Sequence, residues 1–262
     1  MDLRETKELL SEELALLKRV QFYLKGHAPN NNRERIDNVV LLLLYRVYSN
    51  LYSATHLTAS ALKRKALTFF QLPIGIVLRC VFSDCLFTLF ILRTNKEVAY
   101  EELDIRTIEY ANSLLERREV YKDQVKSTGF EFDDSFIEHM WELEMEDNFL
   151  HLLTFDENKK DLEVTKRSKN QLQEDGFSIF KSTGIKEQKD FLIKQNDIKP
   201  LAMRLYHYYK YFSQYEHFSE NGQGDVLESL KEDGNDNIHL PSAIKAIGAA
   251  VEEIIKNREC FS

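Results

Sequence analysis

The side chains best suited to chemistry gather in two stretches. In Arg204-Leu-Tyr-His-Tyr-Tyr-Lys-Tyr-Phe-Ser-Gln-Tyr-Glu-His-Phe-Ser, Ser213 and His217 stand four residues apart with Tyr206 and Lys210 near them, one turn of a helix. Such a pair suggests a nucleophile and its base. Two side chains leaving one helix in parallel, with no oxyanion donors in view, fit a structural histidine better, one that hydrogen-bonds a neighbouring helix. The second stretch carries Arg79, Ser83, Asp84 and Thr88 among Ile, Leu and Phe. At 100° per residue Arg79 and Asp84 lie about 140° apart, so each needs a partner from another helix, and His217, Arg204 and the tyrosines are the expected suppliers. Two buried charges mark either a network that sets helix register or the floor of a site.

Metal chemistry has less support. A di-iron bundle site needs paired Glu-x-x-His motifs, and none of the seven histidines has Glu three residues before it; Asp236 before His239 is the nearest substitute. His139, Glu142 and Glu146, with Asp147 and His151 beside them, would share one helical face, but an acidic helix more often presents a solvated surface. Phosphate-binding Gly loops, Cys-x-x-Cys and His-Glu-x-x-His are all absent from the sequence. No metal and no cofactor is expected.

The elements that would hold these groups are helices. With nine Gly and four Pro in 262 residues, 43% hydrophobic and 30% charged, the chain has a real core and few tight turns. Leu3, Leu10, Leu17 and Leu24, with Leu14 beside them, predict a greasy stripe on a first helix that ends at Gly26 and Pro29. A second helix is predicted over 33–65, with 39–44 apolar all round and central. Pro73 suits the first turn of a third, and Ile74 to Leu92 is the most hydrophobic run, interior in a soluble bundle. A transmembrane reading is weaker, because Arg79 and Asp84 would each cost about 2.5–3.5 kcal/mol at a bilayer centre. Further helices are predicted over 98–126, 135–153, 201–218 and from Pro241, where Ile244, Ile247, Val251 and Ile254 share a face.

The fold class is therefore all-α: a bundle of about five long helices with a polar insertion and a C-terminal helix. It is read as a single helical domain with an N-terminal helix at 1–28, a core at 33–219 holding the insertion at 156–197, an acidic linker at 220–239 and the last helix at 240–258. The net charge of −8 argues against a diffuse attraction to nucleic acid or anionic membrane, leaving only a local basic patch for either. Cys80 and Cys85, five residues apart on a helix, are badly placed to bridge, and Cys260 is distant in sequence. Charged residues at the start, with no apolar leader, fit a reducing cytoplasm.

The pattern Leu72-Pro73-x5-Arg79-x3-Ser83-Asp84, followed by Tyr211-x3-Tyr215-x-His217 with Ser213, resembles uncharacterised bacterial helical proteins grouped near the HEPN domains, over residues 33–219. That resemblance implies the bundle fold and a setting in bacterial stress or phage defence. The Arg-to-His spacing of HEPN ribonucleases is missing: Arg204-x2-His207 is too short, Lys210-x6-His217 replaces the Arg, and Ser83 stands where Glu is expected. The expected function is thus a non-catalytic module that contacts a protein partner or a second copy of itself, with no membrane and with nucleic acid a weaker partner. The alternative is a metal-independent ribonuclease, in which His217 is the acid or base, Arg79, Arg204 or Lys210 stabilises phosphorane charge, and Asp84 completes the site.

Overall fold

The computed structural model describes residues 3–29, 33–64, 67–107, 109, 182–213 and 240–259. They are helical throughout apart from short connections, and the fold is all-α. The chain divides into two compact units, residues 1–95 with 184–262 and residues 96–183.

The first unit contains α1 (Leu3–Gly26), α2 (Arg35–Arg64) and α3 (Leu67–Arg93). Of the second unit, α4 (96–107) is described. The chain then returns to the first unit with α5 (Ile185–Leu192), α6 (Lys199–Ser213) and α7 (Leu240–Glu259).

α3 is the centre of the first unit, packed against α2, α5, α6 and α7. Leu78, Val81, Phe82, Cys85, Leu86 and Leu89 are wholly enclosed, as an apolar circumference requires in an interior helix. Phe82 stacks on Tyr208 and Phe212 of α6, with ring centroids 5.3 and 5.9 Å away. By length and composition Leu72–Arg93 could cross a membrane, but 72% of its apolar window is buried inside the protein. The helix starts before Pro73 rather than at it, so the proline lies in the helix interior and one i→i−4 bond is lost.

α1 is turned partly away from the leucine stripe read in its sequence. Its buried row is Thr6, Leu9, Glu13, Leu16, Leu17, Val20 and Leu24, while Leu3 and Leu14 are 52% and 44% exposed. Leu17 and Leu24 of the stripe belong to that row, and a drift of about 20° per heptad carries Leu10 and then Leu3 toward its edge. The run at 39–44 is likewise not central on every side, since Leu42 is 54% exposed. In α7 the face expected from the sequence is the one observed: Ile244, Ile247, Val251 and Ile254 are buried.

Residues 185–197, read from sequence as the tail of a polar insertion, belong instead to the packed bundle. Leu192 and, just beyond, Ile198 are buried, and Phe191 meets Phe90 edge-on. Polar clamps tie the helices of this unit. Arg258 bonds Asp37 and Tyr23, joining α7 to α2 and α1, and Arg93 bonds Asp197 (2.8 Å) and Glu253.

In the second unit the fully buried Glu102 accepts from Thr183 N (2.9 Å), Thr183 Oγ1 (2.6 Å) and Arg106 Nε (2.7 Å). Arg106 also donates to the Thr183 carbonyl at 2.8 Å, and Glu109 accepts from Ser182 N at 3.1 Å. The entry and exit segments of chain at 102–109 and 182–183 are thereby stitched together by five residues, Glu102, Arg106, Glu109, Ser182 and Thr183, through charge-assisted bonds.

Candidate functional site

Arg79 reaches α6. Its Nε donates to Ser213 Oγ at 3.0 Å and its Nη2 to the Tyr209 hydroxyl at 3.4 Å, with the guanidinium 5.2 Å from the Tyr209 ring centroid. Ser213 Oγ in turn donates to the Tyr209 carbonyl at 2.6 Å. The serine hydroxyl therefore spends its proton on its own helix and its lone pair on Arg79, and it is buried against α3. It belongs to the inward face of α6, which buries Ala202, Leu205, Phe212 and Ser213 together, and so is not the nucleophile that its spacing from His217 suggests. His217 lies outside the described residues.

Asp84 goes the other way. It is buried, and its Oδ1 pairs with Arg46 Nη2 of α2 at 3.1 Å, while Oδ2 has no hydrogen-bond partner among the described residues. The expectation of a partner from α6 is corrected by the helix geometry itself: about 140° of rotation from Arg79 points Asp84 at α2. Burial pushes the Asp84 carboxyl up to about 6, against the pull of Arg46. Its neighbour Cys85 is enclosed, and burial, with the Asp84 charge adding to it, drives that thiol's pKa far up.

Arg204 and Lys210 are both exposed on α6. Burial raises the Tyr208 hydroxyl's pKa, and the Arg204 charge opposes this. Arg79 and Asp84 thus face different helices and do not share a cleft.

Arg46, which the sequence reading passed over, lines an open groove of about 490 Å³ between α2 and α3 together with Leu42, Tyr45, Ser49, Asn50 and Cys80. Cys80 is an exposed free thiol. Leu42, Tyr45, Ser49, Tyr52 and His56 follow one another at intervals of three and four along α2, and all five are exposed. That spacing was legible in the sequence, but the richer apolar rows of the same helix masked it.

A second group missed is Glu13, which is wholly buried in α1. Its Oε1 accepts from Thr58 Oγ1 of α2 at 3.1 Å, and Oε2 has no hydrogen-bond partner among the described residues. Burial pushes this carboxyl up to about 8, with the Thr58 bond opposing the rise. Glu13 falls four residues after Leu9 and three before Leu16, which is a core register and the one signal that could have found it.

Among the described residues no cluster of three His, Cys, Asp or Glu side chains is placed to hold a metal ion. The acidic set at His139, Glu142, Glu146, Asp147 and His151 lies outside them, as do Asp236 and His239. Comparison with protein families, with curated proteins and with solved structures finds no match to this chain.

Proposed function

We propose that the chain is a non-catalytic helical module that recognises a protein partner, or a second copy of itself, through the α2–α3 groove. One observation carries this reading: an open, largely apolar groove with Leu42 and Tyr45 on its wall, continued along α2 by the 51%-exposed Tyr52. Exposed aliphatic and aromatic side chains at helical spacing are what a partner's amphipathic helix seats against. The polar groups that would otherwise offer chemistry, Arg79 and Ser213, are engaged with each other inside the fold. The loose HEPN resemblance adds bacterial stress or phage defence as the setting.

The test is a photo-crosslinking residue at Tyr45 in cells, with purified protein analysed in parallel by light scattering. A discrete crosslinked species, lost when Leu42→Glu and Tyr52→Glu are added, is the expected result. Unchanged crosslinking in the double variant would remove the groove from the function.

The alternative is the ribonuclease. What favours it is that Arg79 is held at Ser213, four residues before His217 in the sequence. Cleavage of single-stranded or structured RNA that disappears in a folded His217→Ala variant would establish it in place of the first reading.

A further inference from the structure

The outward face of α1 has a composition unlike the rest of this acidic protein. At 100° per residue, Arg4, Lys7, Lys18 and Lys25 fall within an arc of about 60° on the side opposite the buried row. All four are exposed, and none forms an ion pair among the described residues. The acids of the helix lie outside this arc: Glu13 is in the core, Glu5 is about 100° round the helix from Arg4, and Glu8 and Glu12 are turned toward α7, where Lys245 Nζ sits 3.3 and 3.5 Å from them. Arg19, the remaining exposed cation at that flank, bonds Glu252 of α7.

Apolar side chains stand among the four cations. Phe22 is 83% exposed, the most exposed large apolar residue among those described, and Leu14 and Leu3 border the same arc. The helix is 24 residues long, so this strip runs for about 36 Å. At that exposure the Phe22 ring contributes nothing to the core.

We propose that this face of α1 docks the protein onto an anionic lipid bilayer, lying in the interfacial plane with Phe22, Leu14 and Leu3 in the acyl boundary and the four cations among the headgroups. Charge complementarity selects the surface: a strip of unpaired cations on a chain of net charge −8 meets an anionic plane while the acidic remainder is held away from it. The leucines favour lipid over nucleic acid, since an aliphatic side chain neither stacks on a base nor bonds a phosphate, whereas Lys flanking Phe and Leu is the composition of an interfacial helix. The contact is peripheral and leaves α3 in the core. It is independent of the groove proposed above, which lies on the α2–α3 side.

Vesicle co-sedimentation of the whole protein tests it, with phosphatidylcholine alone and with phosphatidylcholine plus phosphatidylserine. Binding is expected to the second only, and 1 M salt, where the Debye length is about 3 Å, should release it. Each basic residue near such a surface strengthens binding roughly fivefold, so Lys7→Gln with Lys18→Gln should weaken it about thirtyfold. Phe22→Ser should weaken it about tenfold or more. All three side chains are exposed, and circular dichroism checks that the variants fold. Equal binding to both vesicles, absence of binding, salt-resistant binding, or variants that bind like wild type would each overturn the proposal. So would retention on single-stranded RNA or polyglutamate without retention on vesicles, which would assign the face to another polyanion.

Discussion

Replacing Glu13 by Gln should change how stability depends on pH. The folded-state pKa is raised from 4.5 to about 8 because the carboxyl is enclosed between α1 and α2 with one bond to Thr58 and none to Oε2 among the described residues. Below pH 4.5 the group is protonated in both states and contributes nothing to the pH slope. As pH rises from 4.5 the unfolded chain releases this proton and the folded protein holds it, so stability falls by roughly 1.4 kcal/mol per pH unit. Near pH 8 the folded group ionises as well and the loss levels off, at an upper limit of about 5 kcal/mol. That is a large part of the stability of an ordinary domain. Gln keeps the shape and an acceptor for Thr58 but does not titrate. Urea unfolding followed by circular dichroism at several pH values between 4.5 and 8.5 is the assay, with the difference between the two proteins isolating Glu13 from other titrating groups. The variant should match wild type within about 1 kcal/mol at pH 4.5 and exceed it by several kcal/mol at pH 8. Parallel profiles for the two proteins would refute the burial argument.

Asp84→Ala should leave stability at pH 8 within about 1 kcal/mol of wild type, because Arg46 is 65% exposed in its side chain and rehydrates once its partner is gone. Arg46→Ala is the harsher change, leaving a buried carboxylate without its cation, and chemical denaturation should show its cost grow as pH rises above 6. Phe82→Ala removes the ring that packs against both Tyr208 and Phe212 and should cost about 3–5 kcal/mol in the same measurement. In a Cys260→Ser background, maleimide should label one thiol rapidly, Cys80, with Cys85 reacting only on unfolding; fast double labelling would contradict the enclosure of Cys85.

Periodicity places α1, α2, α3, α6 and α7, while α5 reads as part of a polar insertion and the helix expected over 135–153 lies outside the described residues. Apolar residues at three and four intervals, bounded by Gly26 with Pro29 and by Pro241, predict α1 and α7 nearly to their observed ends, and the all-apolar circumference of Ile74 to Leu92 predicts its central position. A helix is a local structure, fixed by bonds between residues four apart, and its ends and apolar content are written in neighbouring residues.

What each face meets is not local. The rotation of α1 depends on which of two overlapping apolar rows fits α2 and α7, and that choice buried Glu13 and turned Leu14 and Phe22 outward with the lysines. Asp84 could be known from sequence to need a partner, but not that Arg46, 38 positions earlier, supplies it. The spacing of Ser213 and His217 showed a possible pair, but not that Arg79, 134 positions earlier, bonds the serine. Such pairings are decided when helices distant in sequence come together, because the cost of an unpaired buried charge or hydroxyl acts only through the neighbours that tertiary packing provides.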